Sequence, residues 1–255
     1  MRVLLAIAAL MSSQVQAAEE VRFIACPVYR DTDAGKKSGC WLADDPQTGR
    51  RYDVSASASK PDWNYAVLVE GKPSAEPVDH CGGETLAPVR TSILDTPCPH
   101  HSLLDEGFPG HRFILPKRNV EPQSVKRPTP APPYGDRVFR LFFDWNSSFI
   151  AYQREDWSLD QTIGWIRAVK VKSITVVGYG ATEPSIVSGL PMAEQVSIAR
   201  QRADHVADAL ADLGIARDQI RVLYGGAGSV VDDAWVDGLA EPSRRRVEIK
   251  VELAP

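Results

Sequence analysis

The sequence predicts an α+β protein in two unlike halves. A small all-β, disulfide-stapled half comes first, followed by a β-α-β-α-β-β half with two helices laid on one mixed sheet. Three observations predict this. Short runs of β-formers separated by Gly, Pro and Asp turns fill the first half, which also holds all four cysteines. A Pro-rich stretch over 116–136, "PKRNVEPQSVKRPTPAPPYGD", carries no apolar periodicity and divides the chain. Beyond it, apolar strands alternate with two runs of helical period.

The chain opens on "MRVLLAIAALMSSQVQA", which has one positive charge, an apolar run of about ten residues and small residues at its end. That is the pattern of a secretory signal peptide over 1–17, with cleavage expected after Ala17. The run is too short to span a bilayer, and no later segment is long and apolar enough to do so. The expected mature protein is soluble and exported. The formal net charge is −4, or −5 once Arg2 leaves with the leader, and this argues against a general nucleic-acid binder.

In the β half, 18–115, "VRFIACPV" reads as a strand and "GCWLADDPQTGRRYDVSAS" as a hairpin turning at "DDPQTG". "WNYAVLVEG" and "TLAPVRTSIL" add further strands. Five short strands with Gly-rich turns suit an OB-like barrel, a class that binds oligosaccharides and oligonucleotides. Trp41, Tyr52, Trp63 and Tyr65 would supply a stacking face, although aromatic residues in strands are more often packed. An even cysteine count in an exported chain favours two disulfides among Cys26, Cys40, Cys81 and Cys98. Three pairings are open, and Cys26–Cys40 with Cys81–Cys98 is the expected one. His80, His100 and His101 lie near Cys81 and Cys98, which would suit zinc. The absence of Cys-x-x-Cys pairs and the oxidising compartment favour disulfides, so neither metal nor cofactor is expected.

The Pro-rich stretch favours extended geometry at roughly 3 Å per residue and reads as a semi-rigid spacer. After it, "RVFRLFFDWNSS" is a strand and "SLDQTIGWIRAVK" a helix with Ser158 as N-cap. "SITVVGYG" is a buried strand. Pro191 suits the first turn of a long helix reaching Leu213, and Gly214 suits its stop. Two more strands follow in "IRVLYGGAG" and "RRRVEIKVEL". On the second helix, Arg202 sits at the edge of an apolar face made by Ala199, Ala203, Val206 and Leu210. A guanidinium there needs an acceptor or a route to water.

Five stretches, taken in order, resemble the OmpA-like peptidoglycan-binding domain family. "LFFDWNSS" is similar to its first strand, Y-F-D-x-x-x-S, and "VVGYG" to its G-[YH]-T-D strand end. "QVSIARQRADHV" is similar to N-x-x-L-S-x-x-R-A-x-x-V, "LGI" to the helix end and "RRRVEI" to N-R-R-V-E-I. The likeness spans about 137–252 within a second half of 137–255. It implies a non-catalytic anchor, associated with the cell wall or outer membrane of a Gram-negative-type envelope, that grips the peptidoglycan stem peptide at diaminopimelate. The family's Arg, which holds the ligand carboxylate, falls on Arg202. Its Asp, which holds the amino group, falls on Ala181, and a two-residue shift puts Glu183 there instead. The family's Asn becomes Gln195, Arg245 and Arg246 are the paired arginines of the last motif, and Asp144, Trp145 and Asn146 would line the groove.

Without the family's Asp, three outcomes are open: Glu183 takes its place, binding is weaker or retuned, or the fold has lost its ligand. The leading expectation is a wall-tethered protein whose β half meets an envelope protein or an oligosaccharide. One alternative is a scaffold for an envelope protein partner. The other is a cell-wall enzyme, against which stand the absence of G-x-S-x-G and H-E-x-x-H motifs and of a spare cysteine.

Overall fold

The computed structural model describes residues 19–33, 39–76, 79–104, 107–111, 131–151 and 155–255. The expected leader, and residues 116–130 of the Pro-rich stretch, lie outside them. Among the described residues no helix is long and apolar enough to cross a membrane.

The first half is a single sheet built on one bent strand. Strands β1 (Val21–Ala25) and β2 (Pro27–Arg30) run on from each other with Cys26 between them. β1 pairs antiparallel with β5 (Tyr65–Pro73), and β2 pairs antiparallel with β3 (Cys40–Asp44). β3 pairs with β4 (Arg51–Asp53), and β4 runs parallel to the start of β6 (Glu84–Pro97). β6 returns antiparallel along β5, and the two-residue β7 (Ser102–Leu103) adds to β2. Because β1 and β2 are contiguous, these pairings run in a ring from β2 through β3, β4, β6 and β5 to β1. Alternation along the strands sends Phe23, Ala25, Ala43, Tyr52, Val67, Val69 and Leu86 into the middle.

The disulfides are Cys26–Cys98 and Cys40–Cys81, not the expected pairing of sequence neighbours. Register explains the difference. Cys40 lies opposite Arg30, so Cys26 is four residues further along the neighbouring strand. That is roughly 13 Å at ~3.3 Å per residue, beyond the reach of a disulfide. The observed bonds tie the bend at Cys26 to the end of β6, and the start of β3 to the loop before β6.

In the second half, β8 (Arg137–Phe142), β9 (Val171–Gly180), β12 (Ile220–Ala227) and β13 (Arg246–Leu253) form a sheet in the order β12-β9-β13-β8. β12 and β9 are parallel, and β13 is antiparallel to both its neighbours. Helices α1 (Glu155–Ala168) and α2 (Ile198–Asp212) bury Leu159, Ile163, Ile166, Ala203, Val206 and Leu210 against Leu141, Ile174, Val176 and Ile249 of the sheet. This is the β-α-β-α-β-β order that the sequence predicts. A short α3 (Ala240–Ser243) precedes β13.

Helix boundaries differ from the expectation. α1 begins three residues before Ser158, which lies inside the helix rather than capping it. α2 begins at Ile198 rather than near Pro191, because a hairpin intervenes: β10 (Ser185–Val187) and β11 (Leu190–Met192), with Pro191 in its second strand. Its two-residue turn, Ser188-Gly189, has both residues at positive φ, the geometry that matches strand twist. The expected stop at Gly214 is present, at φ 96°.

The halves touch. Leu68 of the first packs in one apolar cluster with Trp145, Ala181 and Val187 of the second, flanked by Ile24, Leu94 and Met192. Arg90 on β6 meets Glu155 on α1 at 2.6 Å, and the Trp145 N–H donates to Ser92 Oγ. The two halves are therefore in direct contact.

Helix and sheet backbones approach closely at Gly178, where an added Cβ would lie 1.9 Å from the Ala199 carbonyl oxygen. Gly178→Ala is expected to push α2 off the sheet and cost about 1–3 kcal/mol, read as a lower urea midpoint with an unchanged m-value.

Candidate functional site

The site forms where β8 and β9 end and α2 begins. After Phe142 the chain turns through Asp144, Trp145 and Asn146, and Asn146 takes φ 48°, a left-handed conformation that Asn tolerates. The turn brings the Asp144 and Ser147 carbonyls and the Asn146 N–H round to face the first half of α2. Tyr179, near the end of β9, adds a third carbonyl.

Arg202 fills this space and is fully buried. Its Nε–H donates to the Ser147 carbonyl at 2.8 Å, one Nη to the Tyr179 carbonyl at 3.0 Å and the other to the Asp144 carbonyl at 3.0 Å. Both Nη atoms also donate to the carboxylate of Glu194, at 2.9 and 2.6 Å. The fork thus spends its five donors inside the chain. Glu194, from the loop ahead of α2, also accepts the Ala181 N–H and the Asn146 N–H, each at 2.7 Å. The result is a carboxylate held by one bidentate guanidinium and two backbone amides, with every group satisfied.

Burial pushes the Glu194 carboxyl up, but the hydrogen bonds and charge of Arg202 outweigh it and hold the group below its usual value of 4.5. A lowered folded value means that the ion pair contributes stability above the carboxylate range and loses it as pH falls through that range.

The residues expected at the site fall into three groups. Arg202, Ala181 and Asn146 converge on Glu194, the last two through backbone N–H groups; the Asp144 carbonyl accepts from Arg202 instead, and the Gln195 N–H donates to Asn146 Oδ1 at 2.9 Å. Trp145 turns into the seam between the halves. Glu183 and Arg245 lie apart. The Glu183 side chain is 74% exposed, with Arg244 Nη1 at 3.9 Å, and lines a small cavity of about 120 Å³ with Thr182, Gly228, Glu241 and Arg244. Arg245 is fully buried in a second closed pair. It donates to both oxygens of Glu70 at 3.0 and 2.5 Å and to the Phe143 carbonyl. Burial would lower the Arg245 guanidinium, but Glu70 reverses the effect and raises it.

Sequence reading missed Glu194 and Glu70. Glu194 has no periodic signal, since it sits in a loop eight residues before Arg202. Glu70 did leave one: it is the single charge in the apolar run "YAVLVEG", and a charge in a buried strand implies a partner.

Beside the closed pair lies an open cleft of about 770 Å³ between the halves. Ile93–Thr96 of β6 form one wall, and Trp145–Phe149, Leu190–Met192, Gln195 and His205 form the other. Ile93, Phe149 and Leu190 present exposed apolar surface there.

No family model matches the chain. No curated protein matches it either. Among solved structures, the chain is similar to the OmpA-like domain of FopA1 from Francisella tularensis, at 19% identity and a TM-score of 0.36, covering 47% of this chain and 77% of that one. It is similar to the peptidoglycan-associated lipoprotein from Burkholderia pseudomallei, at 17% identity and a TM-score of 0.33, covering 45% and 90%. It is also similar to the cell wall anchor of the type VI secretion system (T6SS) from Pseudomonas aeruginosa, at 20% identity and a TM-score of 0.33, covering 47% and 83%.

Two outcomes test the pair. Glu194→Ala leaves the Arg202 charge buried without its partner and is expected to cost about 3–5 kcal/mol, partly recovered by added formate or acetate in a denaturant titration. Wild-type stability should fall as pH drops below 4.5, with a shallower fall in Glu194→Gln, measured as thermal midpoint against pH.

Proposed function

We propose that this is a non-catalytic cell-envelope protein that associates with peptidoglycan through its second half, in a groove that Glu194 closes from inside. The carrying observation is the cradle itself. Where the family resemblance puts a stem-peptide carboxylate, a side-chain carboxylate of the chain's own already sits on Arg202 with two amide donors. A ligand carboxylate reaches Arg202 by displacing Glu194, and the cleft lined by Asn146, Ser147 and Gln195 is its approach. The site's strongest acid and base neutralise each other structurally, which supports binding rather than catalysis.

In the first half, the ring of strand pairings supports the OB-like reading. On its surface Tyr29, Trp41, Trp63 and His100 gather, with the Trp63 and His100 rings stacked at 4.3 Å. Such ring faces suit an oligosaccharide. Of the four aromatic residues expected there, Trp41 and Trp63 join this cluster, Tyr52 is buried in the core and Tyr65 stands apart at the end of β5. Export by the leader and residence in the periplasm belong to the same proposal.

The second reading is a scaffold that keeps the fold and holds an envelope protein, and it is favoured by the same filled pocket. Co-sedimentation with diaminopimelate-containing sacculi separates the two. Wild type is expected to pellet, and Glu194→Gln, with a weaker grip on Arg202, to pellet more. If neither pellets, the scaffold reading replaces the first.

A further inference from the structure

A second cluster of chemically capable groups lies in the first half, far from the Arg202 pocket in sequence and independent of the reading above. Cys40 opens β3, Asp53 ends β4, Cys81 lies in the loop before β6, and His111 closes the described part of the half. The two sulfurs, a carboxylate oxygen of Asp53 and an imidazole nitrogen of His111 all lie within 4.8 Å of one another. Among the described residues this is the one such group of three or more metal-ligating side chains. Cys40, Cys81 and Asp53 are buried, and His111 is partly so.

The structure holds Cys40 and Cys81 as a disulfide, and a disulfide alone needs neither neighbour. Yet the buried Asp53 carboxylate faces it, joined to His111 Nε2 at 2.6 Å. The supporting contacts are those that orient ligands. The other Asp53 oxygen accepts the Ser55 N–H at 2.9 Å, so the carboxylate is fixed from behind. The His111 ring packs on His80 at 4.7 Å, and the Gly110 N–H donates to the His80 carbonyl. The Cys81 N–H donates to Asp79 Oδ1 at 3.1 Å, which pins the loop that carries the sulfur.

We propose that Cys40, Cys81, His111 and Asp53 form a four-ligand zinc site when the Cys40–Cys81 bond is open. Two thiolates, one imidazole and one carboxylate match zinc's preferences and disfavour magnesium and calcium. A tetrahedron with zinc's usual bond lengths puts ligand atoms about 3.3–3.8 Å apart, and the four ligand atoms here already lie within 4.8 Å of one another. The site is redox-gated. An external dithiol attacks the disulfide, supplies two electrons and becomes a disulfide itself, leaving Cys40 and Cys81 as thiols. Zinc then displaces both thiol protons, and the His111 nitrogen and Asp53 oxygen that now face each other turn to the metal.

The test is a zinc titration of the full mature protein against a chromophoric chelator, before and after reduction and removal of the dithiol. The oxidised protein is expected to take no zinc, and the reduced protein one zinc per chain with submicromolar affinity. The double variant Cys40→Ser/Cys81→Ser, which keeps the Cys26 and Cys98 thiols, should lose this binding. His111→Ala should weaken it at least tenfold, and cobalt in place of zinc should show the absorption of a tetrahedral dithiolate complex. The proposal is overturned if reduced wild type takes no zinc, if the double serine variant binds as well, or if His111→Ala binds unchanged.

Discussion

The pair between Arg202 and Glu194 is the contact on which the second half is organised. A guanidinium buried to this degree is tolerated only if each donor finds an acceptor, and the acceptors here come from three separate segments: the turn after β8, the end of β9 and the loop before α2. Meeting that requirement fixes how the turn bends, including the left-handed Asn146, and where α2 starts relative to the sheet. The pocket geometry is therefore a consequence of satisfying one charge. The same saturation explains how Arg202 can be fully buried.

The strands and the helices on one sheet face were legible because they follow from local periodicity. Ile163, Ile166, Val206 and Leu210 repeat at helical spacing, and Phe23 and Ala25 alternate at strand spacing. Boundaries were less legible where a turn competes with helix. Pro191 fits a helical first turn as well as it fits a hairpin strand, and only the Ser188-Gly189 turn decides between them. Disulfide pairing was not legible at all, since it depends on which residues register places opposite each other.

The candidate site was half legible. Arg202 announced itself as a charge beside an apolar stripe, and the residues around it were found by resemblance. Its partner was invisible because Glu194 sits in an irregular loop where no period constrains it. Ala181 and Asn146 hold Glu194 through backbone amides, which every residue but proline supplies, so side-chain chemistry could not reveal that contact. The Asp53–His111 contact was hidden for a different reason. It links a strand end to a loop 58 residues away, and only the closed ring of strands brings them together.

The seam between the halves divides its labour. Leu68, Trp145, Ala181 and Val187 supply apolar burial, which is non-directional and tolerates sliding. Arg245–Glu70 and Arg90–Glu155 are directional, and a slip of either would strand a buried charge at a cost larger than the slip could recover. The charged contacts thus set one docking geometry for surfaces that apolar contact alone would leave free to move. That geometry leaves the cleft beside Asn146 and Gln195 open while it seals Arg245 against Glu70.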